Sequence, residues 1–181
     1  HQHPDQDGDD RVDEIAQGTG ATIFRGLLDR PGMLGDDDMV VDRLCPNYDI
    51  IDPGLNPYLK YEYPTRNSFF GYATRGCIRK CDFCAVPILE PKFENYHPLE
   101  RQVGQVKKLY GDRRNLLLLD NNVLGSKDFE RIIDDIIRLG FQRGAKQEYY
   151  VNGRKVSAKR QVDFNQGIDA RLLTEKKMEM L

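Results

Sequence analysis

From Asn67 onward the hydrophobic residues fall into two kinds of run, short continuous ones and longer ones repeating at helical spacing. Asn67-Ser68-Phe69-Phe70-Gly71-Tyr72-Ala73 is rich in aromatics and ends at Thr74-Arg75-Gly76, which predicts a short buried strand. Leu99, Val103, Val106, Leu109 and Tyr110 then recur at i, i+4, i+7, i+10 and i+11, behind Pro98 and ahead of Gly111. Proline suits a first helical position and glycine a helix end, so this run predicts a helix. Leu116 to Leu119 is continuously apolar, as expected of a parallel strand covered on both faces. A second amphipathic helix is predicted from Lys127 to Leu139, capped by Ser126 and ended by Gly140. Its first turn carries Asp128 and Glu130, and its inner face Phe129, Ile132, Ile133 and Ile136. Tyr149-Tyr150-Val151 and Arg154-Lys155-Val156 flank Asn152-Gly153, a pair suited to the tight type I′ turn, so 147–157 reads as an inserted hairpin. Val162 to Phe164 predicts a further strand, and Thr174 can cap a last helix. Strand, helix, strand, helix, hairpin, strand, helix defines an α/β chain with parallel strands and crossover helices.

The amino-terminal part has no such rhythm. Residues 1–14 carry Asp5, Asp7, Asp9, Asp10, Asp13 and Glu14 against Arg11, which reads as a solvated acidic loop, with His1 and His3 lacking further ligands nearby. One short strand is expected near 21–24. Pro46, Pro53, Pro57 and Pro64 argue against helix throughout 46–64 and predict an extended connector, laid on a neighbouring surface by Tyr58, Tyr61 and Tyr63. The chain starts at His1 and stops at Leu181 inside a predicted helix, so the expectation is a piece of a longer protein.

Composition adds exclusions. The 181 residues are 39% hydrophobic and 31% charged, with a net charge of −2, which gives no general attraction to nucleic acid or anionic membrane. No apolar run approaches the ~20 residues of a membrane span. Arg143, Lys146, Arg154, Lys155, Lys159 and Arg160 concentrate positive charge around the hairpin against Glu148. An RNA or phosphate contact is one reading of that concentration; a solvated face is the expected one, because no nucleic-acid motif accompanies it.

The chemistry lies in Cys77-Ile78-Arg79-Lys80-Cys81-Asp82-Phe83-Cys84, which holds three of the four cysteines at C-x3-C-x2-C spacing. Thiolates gathered so closely suit a soft metal centre. A closed zinc site would need a fourth ligand, for which Cys45 and His97 are the candidates; Cys45 is expected instead to be an ordinary thiol. An electron-carrying cubane would also close with a fourth nearby cysteine, and none is present. Free thiols of this kind point to a reducing, cytoplasmic setting.

The run from Arg75-Gly76-Cys77 through Phe83-Cys84-Ala85-Val86-Pro87 resembles the cluster loop of radical S-adenosylmethionine (SAM) enzymes, in particular the subgroup containing methylthiotransferases and cobalamin-dependent members. The resemblance implies a partial (β/α)6 barrel of which 67–181 would be the first half. It implies a 4Fe–4S cluster held by Cys77, Cys81 and Cys84, with one iron open to the amino and carboxylate groups of SAM. Reductive cleavage of SAM by one electron from a flavodoxin- or ferredoxin-like donor would then generate a 5′-deoxyadenosyl radical for substrate functionalisation, such as methylation or methylthiolation. Phe83 occupies the position that lies near the adenine; packing under the loop is the plain alternative, and the two roles are compatible. Asp120, Asn121 and Asn122 stand where relatives hold the SAM amino group, commonly with Gly-Gly-Glu. Gln166, Asp169 and Arg171 would face SAM or substrate, or Asp169 and Arg171 would form a local ion pair. Cys45-Pro46-Asn47-Tyr48-Asp49 is similar to a linker that follows cobalamin-binding-type domains, making 1–44 the tail of such a domain and 45–66 the linker. No cobalt-ligating signature supports cobalamin as a cofactor here.

Overall fold

A computed structural model of the chain describes residues 45–51 and 66–181. The acidic segment, the strand expected near 21–24, the upstream unit 1–44 and Tyr58, Tyr61 and Tyr63 lie outside the described residues.

In chain order the elements are β1 (Ser68–Gly71), α1 (Val86–Leu89), α2 (Leu99–Tyr110), β2 (Asn115–Leu118) and α3 (Phe129–Arg138). They continue with β3 (Lys146–Val151), β4 (Arg154–Lys159), β5 (Val162–Phe164) and α4 (Glu175–Met180). Strands β1, β2 and β5 form a parallel sheet in that order, with Phe69 opposite Leu116 and Leu116 opposite Val162. The sheet is open, and no barrel closes among the described residues. Leu116, Leu117 and Leu118 are all buried, as their unbroken apolar run requires. Leu99, Val103 and Val106 of α2 join Phe69, Leu116, Leu118 and the Phe129, Ile132, Ile133 and Ile136 face of α3 in one core. Each such side chain contributes about 1.5–3 kcal/mol by leaving water.

Leu109 departs from the expected stripe and is exposed. At ~100° per residue it sits about a quarter turn from the Leu99–Val103–Val106 seam, whereas Tyr110 returns to it. The start of α3 also differs. Asp128, not Ser126, is the N-cap, without a side-chain cap bond. Ser126 Oγ instead accepts from the Asp128 N–H at 2.9 Å and donates to the Asn95 carbonyl at 2.6 Å, tying this turn to the segment ahead of α2. Thr174 does cap α4, accepting from the Lys177 N–H.

The connector is not wholly extended. Tyr48–Ile51 forms one 3-10 turn in the proline-free interval after Pro46. Tyr48 is buried, stacks on Phe70 at 5.3 Å between ring centroids, and accepts the Phe70 N–H at 2.8 Å. Burial pushes its hydroxyl pKa up to about 12. On α2, Gln102 accepts the Tyr72 N–H at 3.0 Å and donates to the Tyr72 carbonyl at 2.8 Å. The hairpin β3–β4 is antiparallel, with Asn152 and Gly153 both at positive φ (49° and 75°), as a type I′ turn demands. Among the described residues no helix is long and apolar enough to cross a membrane.

Candidate metal centre

Because β1, β2 and β5 are parallel, the segments after Gly71, Leu118 and Phe164 leave the sheet at one edge. The cysteine loop, Asp120-Asn121-Asn122 and Gln166 to Arg171 therefore share that edge, where α/β folds place their chemistry.

The base of the cysteine loop is closed by an antiparallel bridge. Arg75 N–H donates to Glu94 O at 3.2 Å, and Glu94 N–H returns to Arg75 O at 2.9 Å. Gly76 follows with φ +70°, and a Cβ there would stand 2.6 Å from the Lys92 carbonyl oxygen, so the turn accepts only glycine. Glu90 then gathers three partners. Its Oε1 pairs with Arg75 Nη2 at 2.7 Å, while Oε2 accepts from the Gly76 N–H at 2.8 Å and from Asn121 Nδ2 at 3.3 Å. Sequence reasoning missed Glu90 and the short α1 ahead of it, because four residues around Pro87 carry no readable period.

Asp120 holds the exit from β1. It is 3% exposed, and its carboxylate accepts from the Ala73 N–H at 3.0 Å, the Thr74 N–H at 2.5 Å and the Thr74 hydroxyl at 2.6 Å. Burial pushes its pKa up, while the bonds from Thr74 and Ala73 pull it back. Both oxygens are thus turned to the backbone that launches the loop, an occupation that nothing in the local sequence signals.

Cys77, Cys81 and Cys84 are free and half-buried, on a stretch without helix or strand. Cys77 Sγ accepts from the Arg79 N–H at 3.3 Å and from Asn122 Nδ2 at 3.6 Å. Cys84 N–H bonds to the Cys81 carbonyl at 3.0 Å, making a turn between those two. From the third strand end, Asp169 pairs with Arg171 at 2.7 Å and with Arg79 of the cysteine loop at 3.1 Å. The bond from Arg171 chiefly, with that from Arg79, holds the Asp169 carboxyl well below the usual range. The ion-pair reading of Asp169 and Arg171 is the one the structure displays, and it extends to the loop. Gln166 is exposed. Phe83 is 93% exposed and does not pack under the loop.

Of the two candidate fourth ligands, Cys45 is hydrogen-bonded elsewhere. Cys45 lies with the Tyr48 turn, its thiol donating to the Pro46 carbonyl at 3.6 Å and raised in pKa by burial. His97 Nε2 stands 2.9 Å from Glu94 Oε2 but is buried without a hydrogen-bond partner. Among the described residues no three His, Cys, Asp or Glu side chains are gathered to hold a metal ion. The three thiols of the loop are not gathered, and binding one metal centre requires the stretch between Cys77 and Cys84 to draw together. Their chemistry suits an iron–sulfur group: three free thiols in one short loop, N–H donors already at Cys77, and a base fixed independently of them.

No protein-family model matches the chain, and neither curated proteins nor solved structures give a match.

Proposed function

We propose that the chain is the first part of the core of a radical SAM enzyme, its open sheet being the start of a (β/α)6 barrel. The observation that carries the reading is the Cys77, Cys81, Cys84 triad, spaced C-x3-C-x2-C with Phe83 inside it, on an irregular loop at the carboxyl end of the first parallel strand. The three cysteines would hold three irons of a 4Fe–4S cluster, leaving the fourth for the amino and carboxylate groups of SAM. When bound, this pair of cofactors supplies a 5′-deoxyadenosyl radical from SAM and one electron.

The chain's own residues bind and orient. Glu90 and Asp120 fix where the loop starts, through Gly76 and Thr74. Phe83 offers an uncovered ring to the adenine. Of the polar residues at the end of β2, Asp120 is taken up by Ala73 and Thr74, so Asn121 and Asn122 are the ones that would remain to meet SAM. Gln166, Asp169 and Arg171 border SAM or substrate from the third strand, with Asp169 holding Arg79 and Arg171 in place. A flavodoxin- or ferredoxin-like protein supplies the electron in the cytoplasm, and the substrate is functionalised at an unreactive carbon by methylation, methylthiolation or a related transfer.

Anaerobic reconstitution of the protein at its natural full length tests this. About four irons and four sulfides per chain are expected, with the electron paramagnetic resonance spectrum of the reduced cluster changing when SAM is added. Cys77→Ala, Cys81→Ala and Cys84→Ala each abolish the cubane, and Cys45→Ala does not. Zinc in place of iron, or loss of the cluster in Cys45→Ala with a spectrum indifferent to SAM, would sink the proposal.

A further inference from the structure

We infer that Asn122 is a tuning residue for the cysteine site, a buried amide that donates N–H to the sulfur of Cys77. The inference rests on the iron–sulfur reading above. Asn122 is 3% exposed, its Nδ2 lies 3.6 Å from Cys77 Sγ, and its Oδ1 is buried without a hydrogen-bond partner. A buried amide with an unmet oxygen costs stability, so packing alone gives no reason for it. Its neighbours in the chain, Val123 and Leu124, are apolar and each 1% exposed, so Asn122 is the polar member of a buried run. Capping gives no reason either, because Asn122 precedes the 3-10 turn Val123–Gly125 without a side-chain cap bond.

Electrostatics does give one. The reverse orientation of the amide would set its oxygen against a thiolate, two acceptors facing each other. With Nδ2 towards the sulfur, the unmet oxygen is the cost of keeping a neutral donor on Cys77. That sulfur then receives two N–H groups, from Arg79 and Asn122, whereas no hydrogen bond to Cys84 Sγ occurs among the described residues. Hydrogen bonds to cluster sulfurs stabilise the more negative, reduced form and raise its potential. Asn122 therefore makes the cluster easier to reduce and distinguishes Cys77 from Cys84.

The test is a redox titration of the reconstituted full-length protein, wild type against Asn122→Leu, with resonance Raman of the iron–cysteine stretching bands. Asn122→Leu is expected to keep its iron and sulfide, to move the midpoint potential more negative and to shift the stretching bands. Asn122→Asp, of equal size but without a donor, is expected to move it further. Asn115→Leu is the control, since Asn115 also has an unmet buried oxygen but begins β2, at the opposite end of that strand; its midpoint stays at the wild-type value. An unchanged midpoint in Asn122→Leu and Asn122→Asp overturns the inference while the iron–sulfur reading stands. Loss of the cubane from both variants makes Asn122 a structural post and overturns it too. Absence of a cubane from the wild type removes the iron–sulfur reading itself, and the inference with it.

Discussion

The hairpin β3–β4 and the loop from Gly76 to Glu94 both leave the body of the protein and return to it, and their construction is opposite. Along the hairpin, paired residues from Lys146↔Lys159 to Val151↔Arg154 satisfy one another's backbone, and Tyr149, Tyr150 and Val151 are left exposed. The loop has the single bridge Arg75↔Glu94. Above it the chain is held by side chains, its own Glu90 on Gly76 and, from elsewhere, Asp169 on Arg79 and Asn122 on Cys77. Regular pairing uses up backbone groups and frees side chains for solvent. Irregular backbone does the reverse, leaving peptide N–H groups such as that of Arg79 beside a thiol. Placing a thiol beside N–H donors is therefore easier in the loop than in the hairpin.

Breaking what the two regions share gives the largest effect. Ile132 is fully buried in the core beneath the sheet, so Ile132→Ala should lower unfolding free energy by about 2–5 kcal/mol in urea denaturation. A loss below about 1 kcal/mol would mean that this part of the core repacks freely. The glycines sharpen the contrast. Gly76→Ala meets both a positive φ and the Lys92 carbonyl oxygen, and should cost about 2–3 kcal/mol. Gly153→Ala has the same backbone problem in open space and should cost about 1 kcal/mol. Equal losses would remove the distinction between a crowded loop base and a free turn.

Next come two acids with opposite pH signatures. Burial raises the folded pKa of Asp120 above its ordinary 3.8, so the folded state takes up this proton first. Its contribution to stability consequently falls as pH rises from that ordinary value through the folded one. Asp169 is lowered by Arg171 and Arg79, so its contribution is present above the ordinary carboxylate range and is lost as pH falls through its folded pKa. Urea melts across acidic pH should show Asp120→Asn flattening the first slope and Asp169→Asn the second; the same sign for both would refute the assignment. The smallest effect is expected at the hairpin. Replacing 147–157 by a short Gly/Ser loop removes exposed residues and the Gln147–Asp112 bond, and should change stability by no more than about 0.5 kcal/mol without altering iron content. Loss of iron on that replacement would show that the hairpin supports the site.

What could be read beforehand follows the same division. Asn152-Gly153, the Leu116–Leu119 run and the Phe129, Ile132, Ile133, Ile136 face are local patterns, and each produced its element within a residue or two. The fittings of the loop are long-range. Asp120 meets Thr74 across 46 positions, and Asn122 meets Cys77 across 45, so neither partner is visible in the other's neighbourhood. The resemblance places Asp120 at the SAM amino group, whereas its carboxylate accepts from Ala73 and Thr74. The Tyr48 turn escaped detection because the prolines around it signal what is forbidden at 46 and 53, not what one turn between them can do. The cysteine spacing is itself local, so the sequence displays it directly, unlike the partners that Cys77 finds in the fold.

Tyr48 and Gln102 have a further effect, on the direction in which the sheet can grow. Among the described residues strand β1 lies at one margin of the sheet, and a margin offers alternate peptide groups to any extended chain that comes alongside. Here the Phe70 N–H is taken by the Tyr48 hydroxyl, and the N–H and carbonyl of Tyr72 by the Gln102 amide. The two side chains occupy the places a neighbouring strand would use, without being a strand. Added strands, whether from the same polypeptide or another, are thereby steered away from β1 and towards Val162–Phe164, so the fold carries its own polarity of extension.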